Sequence, residues 1–166
     1  SIIGNKKFYT FLNNHKNKIL KLTSPFLEKA IYESCKIKKA VVEKDEKEKG
    51  LRKILNFGHS FAHAYEAALG FSKKLNHGEA VILGIKTALN FSIKTKLMNK
   101  KEYYSIIDHI DNSDLPSAAS KFFSPKDRNK ILTFMAKDKK NRSNKINLVL
   151  LKKIGTPIIN KEYSKK

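Results

Sequence analysis

The chain has 166 residues, a typical length for one domain, and 40% of them are hydrophobic, which is enough for a packed core and excludes wholesale disorder. Its formal net charge of +20 would attract polyanions, so a stand-alone basic helical module that binds nucleic acid is one functional class to consider. Most of the cationic side chains are lysines, and no Arg-Gly or RNP-like aromatic motif lies among them. We therefore expect them to form mainly solvated surface and do not expect nucleic acid as the partner.

Cysteine usage and hydropathy indicate the compartment. Cys35 is the only cysteine, which excludes a disulfide framework and a cysteine-rich metal site. No apolar run approaches the length of about 18 residues that a transmembrane helix needs. The N-terminus has no basic segment followed by an apolar one, so no signal peptide is predicted. We expect a cytoplasmic protein that has no membrane partner.

Two helices are predicted in the first part of the chain. Apolar spacing predicts the first from Lys6 to Leu22. Ser24-Pro25 is typical of a helix start, with a hydroxyl N-cap followed by proline at the first helical position, and predicts the second helix from Phe26 to about Val42. The charged run 43–49 is predicted to be a solvated turn.

The segment 49–66 carries the most informative pattern. Read as a helix at about 100° per residue, it gathers polar side chains within an arc of roughly 80° while the rest of its circumference is largely apolar. These polar residues are Arg52, Asn56, His59, His63 and Glu66, together with Glu48 just before the segment. A surface helix shows the reverse pattern, so this helix is expected to be buried, with its polar stripe lining an internal cavity. Because buried charges are costly unless they are paired or bind a ligand, the stripe predicts an active site.

The remaining elements are mostly helical. Gly70 is predicted to end the central helix, and Asn76 to cap a long apolar helix that runs to about Leu97. Three shorter helices are predicted over residues 102–110, 116–123 and 125–137. Strands are predicted over 145–151 and 155–159, followed by a loose tail after Lys161. The fold class is therefore mainly α, with a short strand pair near the C-terminus.

Histidine spacing suggests a metal site. His59 and His63 lie at i and i+4 on one helical face, but the zinc-protease motif requires Glu directly after the first histidine and Ser60 stands there. His77 begins the next helix and could, with His59, provide two ligands to a divalent metal. The residues leave the third ligand open among Glu48, Glu66 and Glu79. The structural alternative is a set of core histidines hydrogen-bonded to backbone or carboxylate groups.

Several motifs in one order carry a resemblance to a known family. They are Lys38–Glu46, Gly50-Leu51-Arg52, Leu55–Ala64, His77–Val81 and Asp138-Lys139-Lys140. Their order and spacing resemble 3-dehydroquinate synthase over most of the chain. The related sugar-phosphate cyclases, which use the same scaffold, are the nearest alternative.

The resemblance implies a fold and an activity. Members have an N-terminal NAD-binding domain and a C-terminal helical domain, and residues 1–166 would be the latter, a metal- and substrate-binding domain that is expected to be inactive alone. They convert 3-deoxy-arabino-heptulosonate 7-phosphate to 3-dehydroquinate in the shikimate pathway, using NAD and a divalent metal, zinc or cobalt. They are usually homodimers.

The resemblance also implies residue roles. His59 and His77 match the metal-binding histidines, and the catalytic positions match His63, Glu48 and Lys38. The substrate-binding positions match Arg52, Asn56 and Lys139. The sequence departs from the family in lacking the Gly-x-Ala-Glu-x-x-Lys segment that holds the third metal ligand. The NAD-binding domain is absent as well, so no NAD-binding residue is expected in this chain, and the third ligand would come from the missing segment.

Overall fold

The computed structural model describes residues 1–113, 118–137 and 145–164. Over these residues the chain forms six α-helices and one antiparallel strand pair, which confirms the predicted fold class. The helices are α1 Lys6–Leu20, α2 Phe26–Lys44, α3 His59–Ala68, α4 His77–Lys94, α5 Lys100–Asp111 and α6 Arg128–Lys137. The strands are β1 Lys145–Lys153 and β2 Thr156–Ser164, and short 3₁₀ helices cover Leu51–Asn56, Ala119–Lys121 and Pro125–Asp127. None of the helices in the described ranges is both long and apolar enough to cross a membrane.

The core lies between α3, α4, α5, α6 and the strand pair. Its fully buried members include Leu83 and Leu89 of α4, Ile106 of α5 and Leu150 of β1. Each such side chain contributes about 1.5–3 kcal/mol through removal of its apolar surface from water. The buried Ser92 hydroxyl donates to the Ala88 carbonyl and accepts the N–H of Leu151, so one polar side chain ties α4 to β1.

The prediction of one continuous helix over 49–66 is wrong. The 3₁₀ helix Leu51–Asn56 ends first, and α3 begins only at His59. Gly58, between them, has a φ of 82°, and a Cβ there would lie 2.7 Å from the backbone nitrogen of Ile85. A Cβ on Gly84 would likewise lie 2.2 Å from the Gly58 carbonyl oxygen. The chain therefore turns at Gly58 because the backbones of α3 and α4 approach each other where only glycine fits.

Other element boundaries also differ from the prediction. Ser24 is not a side-chain cap: Pro25 is the N-cap residue of α2, and the N–H of Phe26 bonds to the Thr23 carbonyl instead. The predicted helix over 116–123 is reduced to a 3₁₀ turn in its described part. The prediction of a loose tail after Lys161 is wrong for residues 162–164, because β2 continues to Ser164 by pairing with β1. Asn76 caps α4 as predicted, and its backbone N–H donates to Glu79 Oε2 at 2.8 Å.

Candidate active site

The turn after α2 is built around the Asp45 carboxylate. It accepts the backbone N–H groups of Lys49 at 2.9 Å, Gly50 at 2.8 Å and Arg52 at 2.9 Å. The bonds from Arg52 and Gly50 are the main reason that the pKa of Asp45 lies below its ordinary value of 3.8. These bonds thus fix the position of Glu48 and the start of the 3₁₀ helix.

The side chains carried by this turn bond to each other and to its backbone. Asn56 Nδ2 donates to Glu48 Oε1 at 2.7 Å, and Arg52 Nη1 donates to the Glu46 carbonyl at 2.6 Å. Glu48 itself has a φ of 51°, in the left-handed region that is uncommon for a residue with a side chain. The Asn56–Glu48 bond connects the end of the 3₁₀ helix Leu51–Asn56 to the turn that precedes it.

A cleft of about 430 Å³ lies between α2, the 3₁₀ helix and the start of α3. It is lined by the predicted site residues Lys38, Glu48, Arg52, Asn56 and His59, together with Ser1, Ile3, Ser34, Ile37 and Leu55. Its volume is within the range of small-molecule sites. The structure therefore brings five of the predicted residues together, while their individual roles remain predictions.

The cleft is open, so the predicted internal cavity is wrong. Lys38 and His63 are exposed, and Arg52, Asn56 and His59 are half-buried. Most of the apolar remainder of the segment is buried as expected, including Phe57, Phe61, Ala62, Ala64 and Tyr65, whereas Leu51 is 41% exposed. Because the polar stripe follows the edge of the packed helices, its charged groups keep contact with water and escape the full cost of burial.

Three histidine rings meet beside the cleft. His59 and His63 occupy adjacent turns of α3, and His77 is the first residue of α4. The ring centroids of His59 and His77 are 5.6 Å apart, and His63 lies 5.8 Å from His59 and 6.2 Å from His77. His59 Nδ1 is 3.3 Å from the Phe57 carbonyl, and His77 Nδ1 is 3.1 Å from each carboxylate oxygen of Glu66.

The His59–His77 spacing suits a shared metal ion. Two imidazoles bound to one tetrahedral zinc at about 2.0–2.1 Å have ring centroids roughly 5 Å apart, close to the 5.6 Å observed. In the part of the chain that the structure describes, no group of three or more His, Cys, Asp or Glu side chains has the arrangement of a metal site. The spacing of the pair therefore fits two ligands of one ion.

The three glutamates left open as third ligands all have other partners. Glu48 accepts from Asn56, Glu66 faces His77 Nδ1, and Glu79 accepts the N-cap N–H of Asn76.

Lys139, predicted to bind substrate, lies outside the described residues. The role of Asp45 was missed by the sequence analysis; the available signal was an aspartate after the predicted end of a helix, with Gly50 five residues later, both residue types that favour turns.

A family model and two relatives of this chain point to the same family. Residues 1–141 match the family model described as 3-dehydroquinate synthase C-terminal. The whole chain is 57% identical to 3-dehydroquinate synthase of Pelagibacter ubique and covers 45% of that protein. It is 36% identical to 3-dehydroquinate synthase of Bradyrhizobium diazoefficiens, with 97% of this chain and 43% of that protein covered. The chain thus spans less than half the length of these relatives.

Two solved structures share the fold. One is 2-epi-5-epi-valiolone synthase from Streptomyces hygroscopicus with NAD⁺ and Zn²⁺ bound, with a TM-score of 0.82 at 19% identity over 97% of this chain and 44% of that one. The other is 2-deoxy-scyllo-inosose synthase complexed with carbaglucose-6-phosphate, NAD⁺ and Co²⁺, with a TM-score of 0.64 at 24% identity over 82% of this chain and 36% of that one. At these identities the likeness concerns the fold alone.

Proposed function

Because the chain belongs to the 3-dehydroquinate synthase C-terminal family, we propose that it is the metal- and substrate-binding half of a 3-dehydroquinate synthase. The whole enzyme would convert 3-deoxy-arabino-heptulosonate 7-phosphate to 3-dehydroquinate and phosphate. The observation that carries the proposal is the cleft in which Lys38, Arg52 and Asn56 lie beside the His59–His77 pair. This arrangement combines anion-binding groups with two metal-ligand side chains, as an acidic, phosphorylated substrate requires.

The cationic residues have distinct tasks in this proposal. Arg52 presents a planar guanidinium that can bind a carboxylate through two parallel hydrogen bonds. Lys38, at the exposed edge of the cleft, offers a compact charge to phosphate or hydroxyl oxygens. Asn56 is oriented by its 2.7 Å bond to Glu48, so its amide oxygen is available as an acceptor for a substrate hydroxyl.

His59 and His77 would hold a divalent ion, zinc or cobalt, which when bound supplies Lewis-acid polarisation of the oxygen at the carbon that is transiently oxidised. His63 lies next to both rings and is exposed, so its imidazole can accept a proton from the substrate and return it. NAD and the third metal ligand are assigned to the N-terminal half that the longer relatives possess. For the full-length protein we predict a homodimeric state and a cytoplasmic location.

The test is reconstitution with the missing half. The chain is combined with the N-terminal half of the Pelagibacter ubique relative, to which it is 57% identical over the shared region. Phosphate release from 3-deoxy-arabino-heptulosonate 7-phosphate is then followed with NAD and Zn²⁺ present. We expect turnover from the assembled pair and none from either half. Turnover of a different sugar phosphate would instead assign the chain to a related cyclase.

The alternative of a basic polyanion-binding module has its own signature. It predicts an affinity for duplex DNA or RNA that falls steeply with salt, together with no metal uptake. The pairing of His59 with His77 and the bond between Asn56 and Glu48 disfavour it, because a surface that only tracks phosphates has no use for paired histidines or for a carboxylate beside them. This alternative would be favoured if the assembled protein bound DNA with an affinity that falls steeply with salt, and neither bound Zn²⁺ nor turned over the substrate.

A further inference from the structure

We propose that Glu66 is a positioning residue that fixes the ring orientation and tautomer of His77 for metal binding. The inference rests on the proposed function, since it concerns the same His59–His77 pair. No role was predicted for this carboxylate beyond that of an open candidate for the third ligand. Its contacts in the structure point to a different task.

The geometry joins two helices. Glu66 lies in the second turn of α3 and His77 opens α4, yet both carboxylate oxygens are 3.1 Å from the same ring nitrogen, Nδ1. The Glu66 side chain is only 15% exposed, whereas that of His77 is 57% exposed. The carboxylate is therefore the anchored partner, and the histidine is the side chain whose freedom it restricts.

The chemistry of this contact determines which nitrogen can bind a metal. A carboxylate only accepts hydrogen bonds, so Nδ1 must carry the proton that it donates to Glu66. In the neutral ring Nε2 then keeps its lone pair and points away from Glu66. Hydrogen bonds of this kind orient metal-binding histidines and raise their basicity. Without it, an exposed residue at a helix terminus would sample several rotamers and both tautomers.

The same contact argues against Glu66 as a metal ligand. Both of its oxygens face Nδ1, and a carboxylate that bound the ion directly would leave Nδ1 without this acceptor. The contact could alternatively be a surface ion pair that only stabilises the α3–α4 packing. Such a pair would contribute to the unfolding free energy but would leave the metal affinity unchanged.

Two measurements on the chain assembled with the N-terminal half, which would supply the third ligand, separate these cases. Imidazole ¹⁵N chemical shifts of the metal-free protein report the His77 tautomer, and a Zn²⁺ titration gives the affinity. We expect the Nδ1–H form of His77 in the wild type and a mixture of tautomers in Glu66→Ala. The Zn²⁺ dissociation constant should rise about 10- to 100-fold in Glu66→Ala and less in Glu66→Gln, which keeps an acceptor oxygen.

The controls keep the outcomes distinct. Glu43→Ala removes an exposed carboxylate that pairs with Lys39 on α2 and should leave both readouts unchanged. Two outcomes would overturn only the role of Glu66. One is a Zn²⁺ affinity that is lost in His77→Ala but retained in Glu66→Ala and Glu66→Gln. The other is an Nε2–H tautomer of His77 in the wild type. Zn²⁺ affinity unaffected by both His59→Ala and His77→Ala would overturn the metal pair and, with it, the proposed function of this site.

Discussion

The carboxylate of Asp45, at the end of α2, holds the backbone N–H of Arg52 at 2.9 Å. The same carboxylate accepts the N–H groups of Lys49 and Gly50. One side chain that does not line the cleft therefore organises the turn that leads to it. The position of the Arg52 guanidinium therefore depends on a residue that need not touch the substrate.

Replacing Asp45 by alanine is expected to loosen this turn. Three backbone donors would lose their acceptor, and the left-handed conformation of Glu48 would lose its support. We expect a lower melting temperature and, in the assembled enzyme, a higher KM for the substrate with a smaller change in kcat. Glu46→Ala is the matched control, because its side chain is exposed and its contact with Arg52 is made by the backbone carbonyl. Equal effects of the two substitutions would contradict the positioning role.

The Asp45 contacts also predict a pH dependence of stability. Its pKa is lower in the folded chain than the ordinary value of 3.8, so the unfolded chain binds the proton more tightly. The stabilisation is thus fully present above that ordinary value and is lost as the pH falls through the folded-state pKa. Wild type and Asp45→Ala should differ in melting temperature at neutral pH and converge in strong acid. A difference that stays constant down to the lowest pH would refute this assignment.

The sequence predicted which residues line the cleft better than it predicted the shape of the cleft. The spacing of Arg52, Asn56 and His59 placed them on one stripe, and they do line one cleft, even though the helix is broken before His59. The break could not be read from periodicity, because it arises from the close approach of Gly58 to α4, a contact distant in sequence. Asp45 was missed for a related reason: within a run of charged residues, its local hydrogen bonds leave no periodic signal.

Gly58 offers the most direct test of that close approach. Gly58→Ala would place a Cβ 2.7 Å from backbone and side-chain atoms of Ile85 and would force a φ of 82° on a residue with a side chain. The backbone strain alone costs about 1–3 kcal/mol, and the clash adds to it. Gly78→Ala is the control, since a Cβ there meets no atom within 4 Å and its helical position favours alanine. Denaturant unfolding of both variants measures the difference, and similar free energies of unfolding would contradict the model of α3–α4 packing.

Substituting Arg52 by lysine tests whether the guanidinium binds the substrate or supports the fold. Lysine keeps the charge but loses the planar fork, so a carboxylate held by two parallel hydrogen bonds would lose one of them and its fixed orientation. We expect the assembled enzyme to bind substrate about 10-fold more weakly or worse, which corresponds to the loss of one charge-assisted bond of about 1.5–3 kcal/mol. The free energy of unfolding should change little, because the backbone N–H that bonds to Asp45 is retained. Arg128→Lys, the same exchange at an exposed position at the start of α6, is the control and should alter neither quantity. A loss of stability as large as the loss of substrate affinity would instead assign Arg52 to the structure of the turn.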